Sequence, residues 1–96
     1  MYKVKAKVWL YPGMAGWQFA IIPKKESKII NQTYGAMKKG WGSLPVNVII
    51  GKTRWKTSIF PDKKIGSYLL PLKAEVRKKE NIEVGNTAFI TLEIIT

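Results

Sequence analysis

The 96-residue sequence contains no cysteine and no histidine. Without cysteine the chain has no disulfide, no thiolate nucleophile and no sulfur ligand for zinc. Without histidine it lacks the commonest general base and the commonest metal ligand. Uninterrupted apolar runs reach only four residues, far short of the roughly 20 that span a bilayer. We therefore predict a protein with no metal, no cofactor and no membrane association.

Acidic residues are also scarce, with only six spread along the chain. A glycosidase-like pair or a metal cage needs carboxylates that converge in one pocket, and this scattered spacing does not indicate one. Ser58 has no histidine to activate it, and a Ser–Lys arrangement with Lys56 or Lys73 would also need an activated lysine and an oxyanion site. We predict that the chain is not an enzyme.

Positive charge is what the sequence has in excess. Its 17 Lys and Arg residues against 6 Asp and Glu give a net charge of +11 at pH 7. The hydrophobic fraction of 46% is normal for a globular protein, so the charge does not indicate disorder. The length predicts a single domain over residues 1–96. Because the N-terminal residues lack the apolar segment of a secretory signal, we expect a cytoplasmic protein.

Alternating apolar and polar residues predict a mainly β fold. In residues 2–11 one face holds Tyr2, Val4, Ala6, Val8 and Leu10, and the other holds Lys3, Lys5 and Lys7. Further strands are predicted at residues 17–22, 46–50, 53–60, 67–70 and 87–94, with turns at 51–52 and 61–64. Two hairpins are expected, between the first two strands and between the third and fourth. Short strands in this number usually close into a barrel, so we predict a six-stranded β-barrel.

Two short helices interrupt the strands. The first is predicted to begin at Pro23 and to end near Gly35. The second covers residues 73–80, with Glu75 and Lys79 as an i,i+4 pair. The positions expected on the buried faces are Ile29, Ile30, Tyr34 and Met37 of the first helix and Leu72 and Val76 of the second.

The second half of the chain resembles a bacterial and archaeal family of domains of unknown function, the one numbered 1905. The most specific segments are residues 55–61 (WKTSIFP) and 68–73 (YLLPLK), and the resemblance extends over roughly residues 2–94. The family more commonly has Gly-Asp at the turn where this chain has Gly85 and Asn86, and asparagine suits the same turn. The resemblance implies a double-split β-barrel, the architecture of AbrB-like DNA-binding regulators and MazE-like antitoxins. It implies no catalytic residues, and the link to DNA binding is an analogy of fold.

The first turn of the first helix carries Lys24 and Lys25, where the helix dipole already places partial positive charge. Acidic residues are preferred there, and only Glu26 fits this preference. A position that breaks a local electrostatic rule is a candidate functional site, and free N–H groups with two lysines suit a phosphate or a carboxylate. The alternative is that both lysines simply extend into solvent.

Four further basic residues and a tryptophan complete the candidate set. Lys38 and Lys39 precede Trp41 in a glycine-rich loop, where the indole can stack on a base or fold back to cap the barrel. Arg54 and Lys56 share one face of a strand, and the tryptophan between them faces the other way.

Two other features have ordinary explanations beside the functional ones. The lysine face of the first strand can meet phosphates, but outward lysines also protect a strand from edge-to-edge pairing. Trp9 and Trp17 lie in apolar strands, so they are expected in the core or at the barrel rim.

Two classes of function fit the sequence. The first is a non-enzymatic module that binds nucleic acid or another polyanion, with contacts from Lys24, Lys25, Lys38, Lys39, Arg54 and Lys56. Because 15 of the 17 basic residues are lysine and guanine is read by arginine, we expect phosphate contacts with weak sequence discrimination. The second is a small-ligand or protein-interaction barrel with Trp41 and Trp55 in a groove. A homodimer is a further alternative, since the regulator barrels that the chain resembles are often built by two chains.

Overall fold

The computed structural model describes residues 1–11, 16–37 and 42–95. The strands in this part of the chain are β1 (Tyr2–Leu10), β2 (Gln18–Ile21), β3 (Leu44–Ile50), β4 (Thr53–Asp62), β5 (Ser67–Pro71) and β6 (Thr87–Ile94). The helices are α1 (Lys24–Tyr34), followed by a 3₁₀ turn at Gly35–Met37, and α2 (Ala74–Lys79). All strand pairs are antiparallel, and they close a barrel in the order β1-β2-β5-β4-β3-β6. The predicted six-stranded barrel with two short helices is confirmed.

The barrel interior is filled by the apolar faces of the alternating strands. Val4, Ala6 and Val8 of β1 are buried while the lysines between them are exposed, and β6 alternates in the same way. Leu10 is the exception, with half of its surface exposed. The pairing of β1 with β6 ends at Lys7, and Leu10 pairs only with Gln18 of β2, so this residue lies beyond the packed interior.

The two helices follow neighbouring antiparallel strands, β2 and β5, and therefore leave the barrel at opposite ends. On α1, Ile30 belongs to the core. Ser27 is buried beside it and ties the helix to the barrel: its Oγ donates to the Ile22 carbonyl at 3.1 Å and accepts the Tyr68 N–H at 3.0 Å. The expectation that Ile29 is buried is wrong, because the buried face of α1 follows Ser27 and Ile30, three residues apart, and leaves Ile29 40% exposed.

The remaining local predictions are largely confirmed. Leu72 and Val76 are buried, and Lys79 Nζ lies 3.2 Å from Glu75 Oε1. The predicted turn at residues 61–64 is displaced, because β4 continues to Asp62 and the turn occupies residues 63–66. Among the described residues, none of the helices has the length and apolarity to cross a membrane.

The neighbouring isoleucines of α1 test how the helix is held. Ile30→Ala removes a fully buried side chain from the core, so we expect it to lower the free energy of unfolding by about 2–5 kcal/mol. Ile29→Ala makes the same chemical change at an exposed position and should cost at most about 0.5 kcal/mol. Urea denaturation of both variants measures the difference. Equal losses would contradict the assigned helix orientation.

Asp62 closes the turn between β4 and β5. Its Oδ1 accepts the Ile65 N–H at 3.0 Å, and its Oδ2 accepts the Tyr11 hydroxyl at 3.0 Å. The Ile65 N–H is the largest cause of a lowered Asp62 pKa, and the Tyr11 hydroxyl adds to it against the effect of partial burial. The bond to the carboxylate in turn raises the pKa of the Tyr11 phenol.

Stability should therefore depend on the charge of Asp62. Because the pKa is lower in the folded state than the unfolded value of about 3.9, the ionised carboxylate stabilises the fold at neutral pH, and this contribution is lost as the pH falls through the folded-state pKa. We expect Asp62→Asn to have a lower Tm at pH 7 and the difference from the parent to shrink below about pH 4. Thermal unfolding between pH 2 and 7 measures it, and a pH-independent difference would contradict the assignment. Tyr11→Phe keeps the Ile65 bond and should lose less.

Candidate polyanion-binding groove

The register of β4 with β5 opens a gap in the barrel wall. β4 pairs with β3 over residues 53–59 but with β5 only over Phe60–Asp62. From Leu70 onward β5 pairs with β2 alone, and Pro71 has no N–H with which to extend a ladder toward β4. The two strands therefore separate toward the end of the barrel at which α2 begins.

A groove of ≈ 520 Å³ lies over this gap, between β4 and the segment that leads from β5 into α2. Its aromatic lining residues are Trp17, Trp55 and Phe60, and its basic ones are Lys56, Lys73 and Arg77. The described lining residues include no carboxylate. The groove thus combines flat apolar rings with positive charge.

The three rings differ in accessibility. Trp55 is half-buried and packs against the core, so it forms part of the base of the groove. Trp17 is 51% exposed and Phe60 is 38% exposed, and both are open to a ligand. Both Trp17 and Trp9 lie at the rim of the barrel, and neither is in the core, the other position that the sequence allowed.

Trp17 is held in place by other rings. Its indole stacks on Phe19 with ring centroids 5.9 Å apart and an interplanar angle of 28°. Phe19 is buried and makes an edge contact with Tyr11 at 5.2 Å, and Tyr11 is anchored by Asp62. Phe19 therefore contacts the indole from one side in an offset arrangement, which orients the ring, and about half of the Trp17 surface stays exposed.

The cations of the groove come from two elements. Lys56 is exposed on β4, and Lys73 precedes the first residue of α2. Arg77, one helical turn further on, donates from Nε to the Leu72 carbonyl at 3.0 Å. This bond fixes the plane of the guanidinium, so its remaining N–H groups can be presented to an anion in a defined orientation.

Two of the carboxylates accept hydrogen bonds from neutral donors outside the groove. Glu93 accepts the Asn47 side-chain N–H at 2.9 Å, and Glu80 accepts the Thr53 hydroxyl at 2.6 Å. Lys79–Glu75 is the single ion pair between residues that the structure describes. The groove cations Lys56, Lys73 and Arg77 thus form no ion pair with a described carboxylate, so the positive charge of the groove is not compensated by ion pairs.

The structure places the predicted cations in three different regions. Lys56 lines the groove. Arg54 is exposed on the same face of β4, as predicted, but it lines a neighbouring depression, which Lys56 and Glu93 also line. Lys24 and Lys25 are exposed in the first turn of α1, the helix that leaves the barrel at the end opposite α2.

Lys24 lines a separate cavity of ≈ 770 Å³ between α1 and the β4–β5 turn. Asp62 also lines that cavity, so its charge is mixed. The predicted loop site at Lys38, Lys39 and Trp41 lies outside the described residues.

Sequence reasoning missed Trp17, Lys73 and Arg77 as partners of Lys56. A signal was present for two of them, because Lys73 and Arg77 are four residues apart and so share one face of α2. The proximity of Lys73 and Arg77 to Lys56 and Trp17 depends on the closure of the barrel, which local sequence patterns do not predict.

The lysine face of β1 is confirmed as exposed. Lys5 Nζ lies 5.6 Å from the centroid of the Phe89 ring on β6. Because β1 is three strands from β4 in either direction around the barrel, this lysine face lies on the far side from the groove. The two basic surfaces are thus physically separate.

A family model described as Domain of unknown function (DUF1905) matches residues 5–92, which is nearly the whole chain. No curated protein matches the sequence. The matched range contains both helices and all of β2, β3, β4 and β5, so it includes every element that forms the groove. The chain therefore belongs to this family of domains of unknown function.

Proposed function

We propose that the chain is a non-enzymatic module that binds nucleic acid through its phosphate backbone. The observation that carries this proposal is the groove beside α2, where Lys56, Lys73 and Arg77 surround aromatic rings without a carboxylate among the described lining residues. Cations that release counterions from phosphates supply most of the affinity of such modules. The net charge of +11 adds long-range attraction for a polyanion.

Weak sequence discrimination is part of the proposal. Arg77 is the one arginine in the groove, and its Nε is already bonded to a backbone carbonyl. Lysine acts as a point charge toward phosphate and carries little information about base identity. The groove therefore suits contacts to the backbone more than reading of base edges.

The salt dependence of binding tests the proposal. We expect the dissociation constant for a fluorescein-labelled oligonucleotide to rise steeply with salt, because each neutralised phosphate contributes about 0.7–0.9 to the slope of log K against log salt. In Lys56→Gln/Lys73→Gln two contacts are removed, so the slope should fall by about 1.4–1.8. Fluorescence anisotropy at four or five salt concentrations measures it.

The far side of the barrel supplies a matched control. Lys3→Gln/Lys7→Gln removes the same amount of charge from β1, opposite the groove. This variant should keep a slope close to that of the parent. If both double variants lose the same slope, binding is spread over the surface and the groove is not the site. If the parent binds no DNA or RNA at low salt, the proposal fails.

A protein-interaction module is the second candidate, favoured by apolar surface next to the groove. Trp9 is 40% exposed and lines a small cleft with Phe19, Ile21 and Leu69. Aromatic side chains with exposed apolar surface are enriched at protein–protein interfaces. A partner docked here would bind with little dependence on salt, which distinguishes this candidate from the first.

A further inference from the structure

We propose that the groove between β4 and α2 is specific for single-stranded nucleic acid and holds an unpaired base against Trp17. This inference rests on the proposed function and assigns its ligand. It predicts a preference for single strands over duplexes and a direct role for the indole, neither of which follows from positive charge alone.

The arrangement of the rings favours stacking of a base. Base–aromatic stacking needs a flat ring with an accessible face, and sequence-tolerant modules use such rings beside a basic track. Trp17 is about half exposed, and Phe19 packs behind it at 5.9 Å. The ring is therefore oriented before a ligand arrives, which reduces the entropy that binding must remove.

The cations are positioned on both sides of the groove that contains the rings. Lys56 lies on the β4 side, and Lys73 and Arg77 lie on the α2 side of the same groove. A strand whose base stacks on Trp17 carries a phosphate on each side of that nucleotide, so cations on both sides of the groove match its charge. An acidic peptide would also meet the cations, but its carboxylates bring no flat ring to the indole.

The size of the groove also fits a single nucleotide. The groove is an open depression of ≈ 520 Å³, within the volume range of ligand sites, so it can take up an individual base. In a duplex the base faces are stacked on one another and are not available to an aromatic side chain. A duplex could contact the surface lysines, but it would leave the Trp17 ring unused.

Four probes of similar length test the inference on the full chain. They are a fluorescein-labelled 12-nucleotide poly(dT), the same backbone with abasic sites, a 12-base-pair duplex, and an oligoglutamate peptide of similar charge. We expect poly(dT) to bind most tightly. The parent and two variants are compared, Trp17→Leu and the matched control Trp9→Leu. Trp9 is also exposed and lines the small cleft that contains Phe19, but it does not line the groove.

The variants separate stacking from charge. We expect Trp17→Leu to weaken poly(dT) binding by roughly 5- to 150-fold, which is the range for loss of one stacked base, and to leave the salt slope and the affinity for the abasic strand unchanged. Trp9→Leu should bind as the parent does. Circular dichroism and urea denaturation check that both variants are folded, and Trp17→Phe, which retains a ring, should recover part of the affinity.

The outcomes distinguish failure of this inference from failure of the proposed function. If poly(dT) and the abasic strand bind equally, or if the duplex binds as tightly as poly(dT), base stacking is overturned while salt-dependent nucleic-acid binding stands. If oligoglutamate binds as tightly as poly(dT), the groove is a general anion site and the single-strand assignment is overturned. If none of the nucleic acids binds at low salt, both proposals fall.

Discussion

The short strand β5 is the constraint on which the rest of the structure depends. A six-stranded ring must close through it, yet it has five residues beside the ten of β4, and it pairs with that neighbour only at Phe60–Asp62. Pro71 has no N–H group, so it cannot donate a hydrogen bond that would extend this pairing. β4 and β5 are paired at one end of their shared boundary and separate at the other, and the chain enters α2 where the separation begins. The groove is therefore a consequence of how the barrel closes.

The same closure determines where charge can lie. Alternation along β1 and β6 directs every second side chain into an apolar interior, so each lysine of β1 is left on the outside. With one ion pair among the described residues, the outer surface carries cations that have no acidic partner. Exposed ion pairs contribute little to stability, so their scarcity costs the fold little, while the excess of positive charge produces a strong field toward polyanions.

Sequence patterns predicted the elements well and the site only in part. The period of two along residues 2–8 and 88–94 identifies a half-buried strand without reference to the rest of the chain, and Leu72 with Val76 identifies the buried face of α2. Helical spacing did not separate Ile29 from Ile30, because adjacent positions differ by only 100° of rotation. Alternation along its strand identified Lys56 as a candidate. Arg77 lies 21 positions further along the chain, and the two residues share a groove only because the barrel closes.

Trp17 is the residue at which local and global preferences disagree. An indole in an apolar segment is expected to be buried, and burial of an aromatic side chain is among the larger gains in folding. Here the core is already filled by smaller branched side chains, and Phe19 takes the buried position beneath the indole. The ring is stacked on one side and exposed on the other. The cations of the groove lie beside this ring, so its exposed apolar surface and the positive charge are presented on the same face of the molecule.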